Sequence, residues 1–176
     1  MKRLITGILF LSAVSFSLGQ TGTSGDPVET EEVEITVDET PLPYRVEIVV
    51  DQSLYPKTYP APYEGQYFAE DGKAGISASV RKLGLSDFLE NIDQVKNVSG
   101  LKFLDYQELN WGGEKVLFTR FEQNRGGDLY ILTTYIRGID NKHSMSIGSF
   151  HELEKDTEEY KDAIMQAAKS AKAIKQ

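Results

Sequence analysis

The sequence predicts an α+β domain: an antiparallel sheet covered by helices on both faces, an α/β/α sandwich. Three observations lead there. Four segments between Leu101 and Phe150 are strand-prone and are joined by short Gly- and Asn-rich turns, the pattern of an antiparallel meander. The second and third of them carry apolar residues on both parities, so both sheet faces are covered. A helix follows the strand before the meander, and a long amphipathic helix ends the chain.

The chain of 176 residues opens on a different kind of segment. Lys2 and Arg3 precede an apolar run from Leu4 to Leu18, and Ser17-Leu18-Gly19 offers small residues for cleavage. This is the pattern of a secretory signal peptide spanning 1–19, leaving Gln20 as the new N-terminus. The run is short for a membrane span of about 20 residues. The expected product is exported, periplasmic or extracellular. Residues 20–43 read as a flexible acidic leader. Between Asp26 and Glu39 it holds seven acidic and no basic residues, and Val33, Ile35 and Val37 alternate as a possible short strand. The single folded domain is expected over 44–176.

Tyr44 to Val50 reads as a strand with Val46, Ile48 and Val50 on one face. Residues 55–68 space Tyr55, Tyr59, Tyr63 and Tyr67 four apart, yet Pro56, Pro60 and Pro62 forbid a helix there. An extended loop is expected. It either covers the core edge or presents an aromatic surface, since tyrosine gives large contact area at low entropic cost. Ala74 to Leu83 alternates as a strand. Ser86 is the expected cap of the next helix, whose stripe is Phe88, Leu89, Ile92 and Val95. The four meander strands are Leu101–Asn110, Lys115–Gln123, Leu129–Arg137 and His143–Phe150. The last helix is capped by Asp156 or Thr157. Its apolar face is Tyr160, Ile164, Ala167, Ala168, Ala171 and Ile174.

Three stretches carry a resemblance. They are the strand–helix unit GISASVRKLGLSDFLENI, the paired strands EKVLFTRFEQ and DLYILTTYIRG, and the tail from MSIGSFHELEKDTEEYKD onward. In this order they resemble the PsbP-like family over roughly 44–175. The resemblance implies its α/β/α sandwich and an exported bacterial member without an assigned activity. It implies no binding residues, because none of the family's functional positions can be matched here.

Composition removes several chemistries. There are no cysteines and two histidines. That excludes thiol catalysis, disulfide scaffolds and cysteine metal sites. The formal charge is −8, which disfavours binding to nucleic acid or to an anionic membrane surface. Cleavage would make it −10, concentrated before Tyr44. His143 and His151, eight apart on one strand, would lie about 27 Å apart and could not share a metal or a reacting atom. His151 is expected at a strand end on the surface, and Arg120 in a surface pair with Glu122 or Glu108. No catalytic residue, metal site or cofactor is expected. The candidate binding residues are Tyr59, Tyr63, Tyr67 and Trp111, the last being either a contact residue or a core plug. The expected function is a non-enzymatic accessory or binding domain engaging a protein or envelope component. The alternatives are a small-molecule or lipid-binding module with a pocket between sheet and helix, and a small hydrolase.

Overall fold

The seven-stranded antiparallel sheet is the frame on which every candidate residue is placed. The computed structural model describes residues 41–58 and 65–176. The signal-peptide and leader expectations lie outside them, as do Tyr59 and Tyr63. The strands are β1 (Tyr44–Glu47), β2 (Lys57–Thr58), β3 (Gln66–Phe68), β4 (Ala74–Arg81), β5 (Lys102–Trp111), β6 (Glu114–Arg125), β7 (Asp128–Gly138), β8 (Ser144–Glu152) and β9 (Lys172–Lys175). The helices are α1 (Leu85–Glu90), α2 (Ile92–Lys96) and α3 (Glu158–Ser170), with a 3-10 turn at Leu153–Lys155. The main sheet runs β2-β3-β4-β8-β7-β6-β5, and β1 pairs with β9 in a separate ribbon. The compact unit spans Leu42–Gln176.

The meander forms as alternation and turn chemistry dictate. Gly112 and Gly113 take φ of 63° and 95°, and Gly126 and Gly127 take 66° and 107°. Consecutive left-handed residues fit a tight hairpin to the sheet twist. In each turn an asparagine side chain closes the loop. Asn110 Oδ1 accepts from the Gly113 N–H at 2.8 Å, and Asn124 Oδ1 from the Gly127 N–H at 3.0 Å.

One sheet face carries Ile76 and Ala78 of β4, Met145 and Ile147 of β8, Tyr135 of β7 and Val116 of β6. These pack against Ile164, Ala167 and Ala168 of α3. Alanines bring the helix close to the strands. Val46, Ile48 and Val50 join this core, as the sequence predicts. On the other face Leu85 of α1 approaches Gly138 of β7, and Lys96 of α2 lies over the rings of Phe103 and Tyr106. The fold is therefore α+β with helices on both faces.

Four local expectations are corrected. The first helix starts at Leu85 with Gly84 as its cap, not Ser86; Asp87 Oδ2 accepts from the Gly84 N–H at 2.9 Å. The same stretch breaks into two helices at Asn91. The segment expected as a loop contains the short paired strands β2 and β3. Finally, α3 stops at Ser170, and Ala173 and Ile174 belong to β9. Helical periodicity continues past Ser170, but Arg137 ends the helix from outside. Its Nη1 donates to the carbonyls of Ala168 (3.1 Å) and Ala171 (3.0 Å), which the helix end leaves without partners. The chain then finds its next hydrogen bonds on β1.

Candidate functional site

Alternation puts Trp111, Leu109 and Phe118 on the face that α3 covers. Trp111 is half-buried. Its ring centroid lies 5.3 Å from that of Tyr135, whose ring is 5.0 Å from Phe118. The Lys169 ammonium sits 5.6 Å from the Trp111 centroid. Trp111 thus joins the margin of the core while keeping part of its surface in solvent. Tyr67 is also half-buried and packs against the same core from β3. Four strands separate β3 from β5, about 24 Å at the usual strand spacing. Tyr67 and Trp111 therefore flank α3 from opposite sides and do not converge on one ligand. Tyr55, from the same tyrosine series, is wholly buried and meets Tyr160 edge-on at 6.0 Å.

The structure assembles another group of residues that sequence reasoning missed. Arg120 of β6, Thr133 of β7 and Ser149 of β8 lie in one transverse row, and His151 is one pleat further along β8. Asp156, between the 3-10 turn and α3, reaches down to this row. Its carboxylate accepts from Arg120 Nη2 at 2.8 and 2.9 Å and lies 3.1 Å from His151 Nε2. His151 is 1% exposed, so the expected surface position is wrong. The expected partners of Arg120, Glu122 or Glu108, are likewise replaced by Asp156. Asp156 is not the helix cap; Thr157 takes that position.

Electrostatics follow from this packing. Burial holds the His151 imidazole below its ordinary pKa, against the pull of Asp156. Burial also works to raise the Asp156 carboxyl, but Arg120 and His151 outweigh it and leave Asp156 below the usual carboxylate range. The imidazole is therefore neutral at pH 7. Burial pushes the Tyr55 phenol well up. Among the described residues four buried polar atoms around the cluster have no protein partner: Arg120 Nε, Ser149 Oγ, His151 Nδ1 and Tyr55 OH.

A buried histidine beside a carboxylate has the parts of a general base. Here its free nitrogen, Nδ1, is buried and bonds no nucleophile among the described residues. His143 sits at the start of β8, 3.0 Å from the Asp140 carboxylate. Asp140 is pulled to about 2, first by the Lys142 N–H and also by His143 and Tyr44. The two histidines lie at opposite ends of β8, as their spacing predicts. Among the described residues no group of three His, Asp or Glu side chains could hold a metal ion.

No family profile matches this chain, and no curated protein matches it. Solved structures do. LpqN of Mycobacterium tuberculosis, described as involved in cell envelope biogenesis, superposes with a TM-score of 0.55 at 16% identity, over 77% of this chain and 87% of that one. A Pseudomonas aeruginosa protein of unknown function, PA94, gives 0.46 at 16% identity over 74% and 84%. Cyanobacterial PsbP from Synechocystis gives 0.41 at 6% identity over 77% and 84%. The shared fold rests on the superposition with LpqN. No helix among the described residues is long and apolar enough to cross a membrane.

Proposed function

We propose that the chain is an exported, non-enzymatic accessory domain that engages a protein or envelope component through its surface. The observation that carries this reading is the division between surface and interior. The His151 ring is buried, with no nucleophile on its free nitrogen among the described residues, whereas Trp111 and Tyr67 keep part of their surface at the margins of the sheet. The role described for LpqN supports an envelope setting. Tyr59 and Tyr63 belong to the proposed surface by their spacing with Tyr67. Export follows from the leader pattern at Gly19/Gln20, and N-terminal sequencing of the mature protein checks it.

The test is recovery of partners from an envelope extract by the wild type, a Tyr59, Tyr63 and Tyr67→Ala variant, and Trp111→Ala. Loss of a specific partner with either variant supports the proposal. Equal recovery of every partner by all three overturns it. A second reading, a small-molecule module, draws on the four unpartnered polar atoms beside Arg120, since buried polar groups are ordinarily satisfied. Native mass spectrometry of the protein purified from its producing cells decides it: an adduct lost in Ser149→Ala favours this reading, and a bare mass rejects it.

A further inference from the structure

The overall charge conceals a local one. Described residues outside the leader are nearly balanced, yet the end of the domain at the C-terminus of α3 is basic. Its members are connected by contacts. Arg137 bridges Glu114, in the β5–β6 hairpin, to the last carbonyls of α3. Lys169 reaches Trp111 in that same hairpin region. Lys172 pairs in register with Glu47, and Lys175 with Tyr44. Tyr44 in turn donates to Asp140 at 3.1 Å in the β7–β8 turn, where Lys142 lies. One end of the sheet therefore gathers Lys115, Lys142, Lys169, Lys172 and Lys175, all exposed.

The acidic groups at this end are already engaged. Glu114 is held by Arg137 and Glu47 by Arg45, Asp140 accepts from Lys142 N–H, His143 N–H and Tyr44, and Asp87, near the Asn141 carbonyl, accepts from Gly84 N–H. Among the described residues Lys115, Lys142, Lys172 and Lys175 form no ion pair. Beside them Val49 is 74% exposed, the most exposed large apolar residue described, and its N–H is fixed to Ser170 Oγ at 2.8 Å. An exposed apolar side chain at a lysine-rich end of the domain suits a surface that is anionic outside and apolar beneath.

We propose that this end of the domain docks on membranes through anionic phospholipid headgroups, with Val49 entering the interface. Lysines near an anionic leaflet attract it independently of one another, each strengthening binding about fivefold. The attraction falls steeply with salt. The proposal names the envelope component of the functional reading, and it is tested without reference to export or to the tyrosines. Its failure therefore leaves that reading standing.

The experiment is co-sedimentation of the mature chain, acidic leader included, with vesicles of phosphatidylglycerol and phosphatidylcholine or of phosphatidylcholine alone. Sedimentation with the anionic vesicles at low salt, release at 0.5 M salt, and no binding to the neutral vesicles are expected. Lys142, Lys172 and Lys175→Gln together should weaken binding about a hundredfold. Lys57, Lys73 and Lys102→Gln, from other parts of the surface, should leave it unchanged. Val49→Ser should weaken vesicle binding without altering binding to soluble polyphosphate. No binding to anionic vesicles, equal binding to neutral ones, or equal loss with the control lysines overturns the proposal. So does binding to polyphosphate without binding to vesicles.

Discussion

Asp156→Ala removes the carboxylate that buried His151 and half-buried Arg120 share. Arg120 then loses the acceptor of Nη2 while its Nε already lacks a partner among the described residues, and His151 loses its hydrogen bond to Asp156. Breaking a buried ion pair from one side costs about 3–5 kcal/mol, because the remaining charge stays buried and unpaired. The Arg120 and Asp156 side chains are 21% and 22% exposed. Water therefore reaches part of the site, and the low end applies: about 3 kcal/mol. For a domain of this length that lowers Tm by about 10 °C. Urea denaturation should show a lower midpoint with an unchanged slope, since the surface exposed on unfolding is the same. Arg120→Met with Asp156→Leu should recover most of the loss, because no buried charge is left behind. A loss below about 1 kcal/mol for Asp156→Ala, the range of an exposed pair, would refute the view that this cluster pins α3 to the sheet.

Three further perturbations probe separate parts of the fold. The His151 pKa is depressed in the folded state, so its contribution is present above the unfolded value near 6.5 and is lost as pH falls below it. Urea midpoints from pH 8 to pH 5 should decline, and His151→Gln, which keeps a donor toward Asp156 but does not titrate, should flatten that decline. A Cβ on Gly84 would stand 2.5 Å from the backbone oxygen of Asn141, while one on Gly148 meets nothing nearer than 3.8 Å. Thermal melts should therefore show Gly84→Ala losing more than about 2 kcal/mol and Gly148→Ala staying within about 1 kcal/mol of wild type. Arg137→Met strips the carbonyls of Ala168 and Ala171 of their donor; hydrogen exchange should rise at the end of α3 and in β9, with little change in β6.

The parts of the fold that were legible in the sequence are those decided locally. The meander followed from alternation and from Asn and Gly-Gly at the turns, where backbone conformation leaves little choice. The end of α3 was not legible, because Ala171 and Ile174 keep the helical period and the deciding partners, Arg137 and β1, are distant in the chain. The polar cluster had one readable signal. His151 has the same parity as Met145 and Ile147, which places it on the core face of β8. Its proximity to a strand end hid that reading, and its link to Arg120 through Asp156 depends on how α3 enters, which no short window contains. The tyrosine spacing misled in part, since Tyr55 is buried and four strands separate Tyr67 from Trp111.

The central claim is that this chain acts through its surface and that His151 serves the structure alone. Quantitative partner recovery from envelope extract by His151→Gln, beside the Tyr59, Tyr63 and Tyr67→Ala variant, tests it most directly. The account predicts wild-type recovery by His151→Gln at neutral pH and loss of a specific partner by the tyrosine variant. Loss with His151→Gln, folded by circular dichroism, together with full recovery by the tyrosine variant would contradict it.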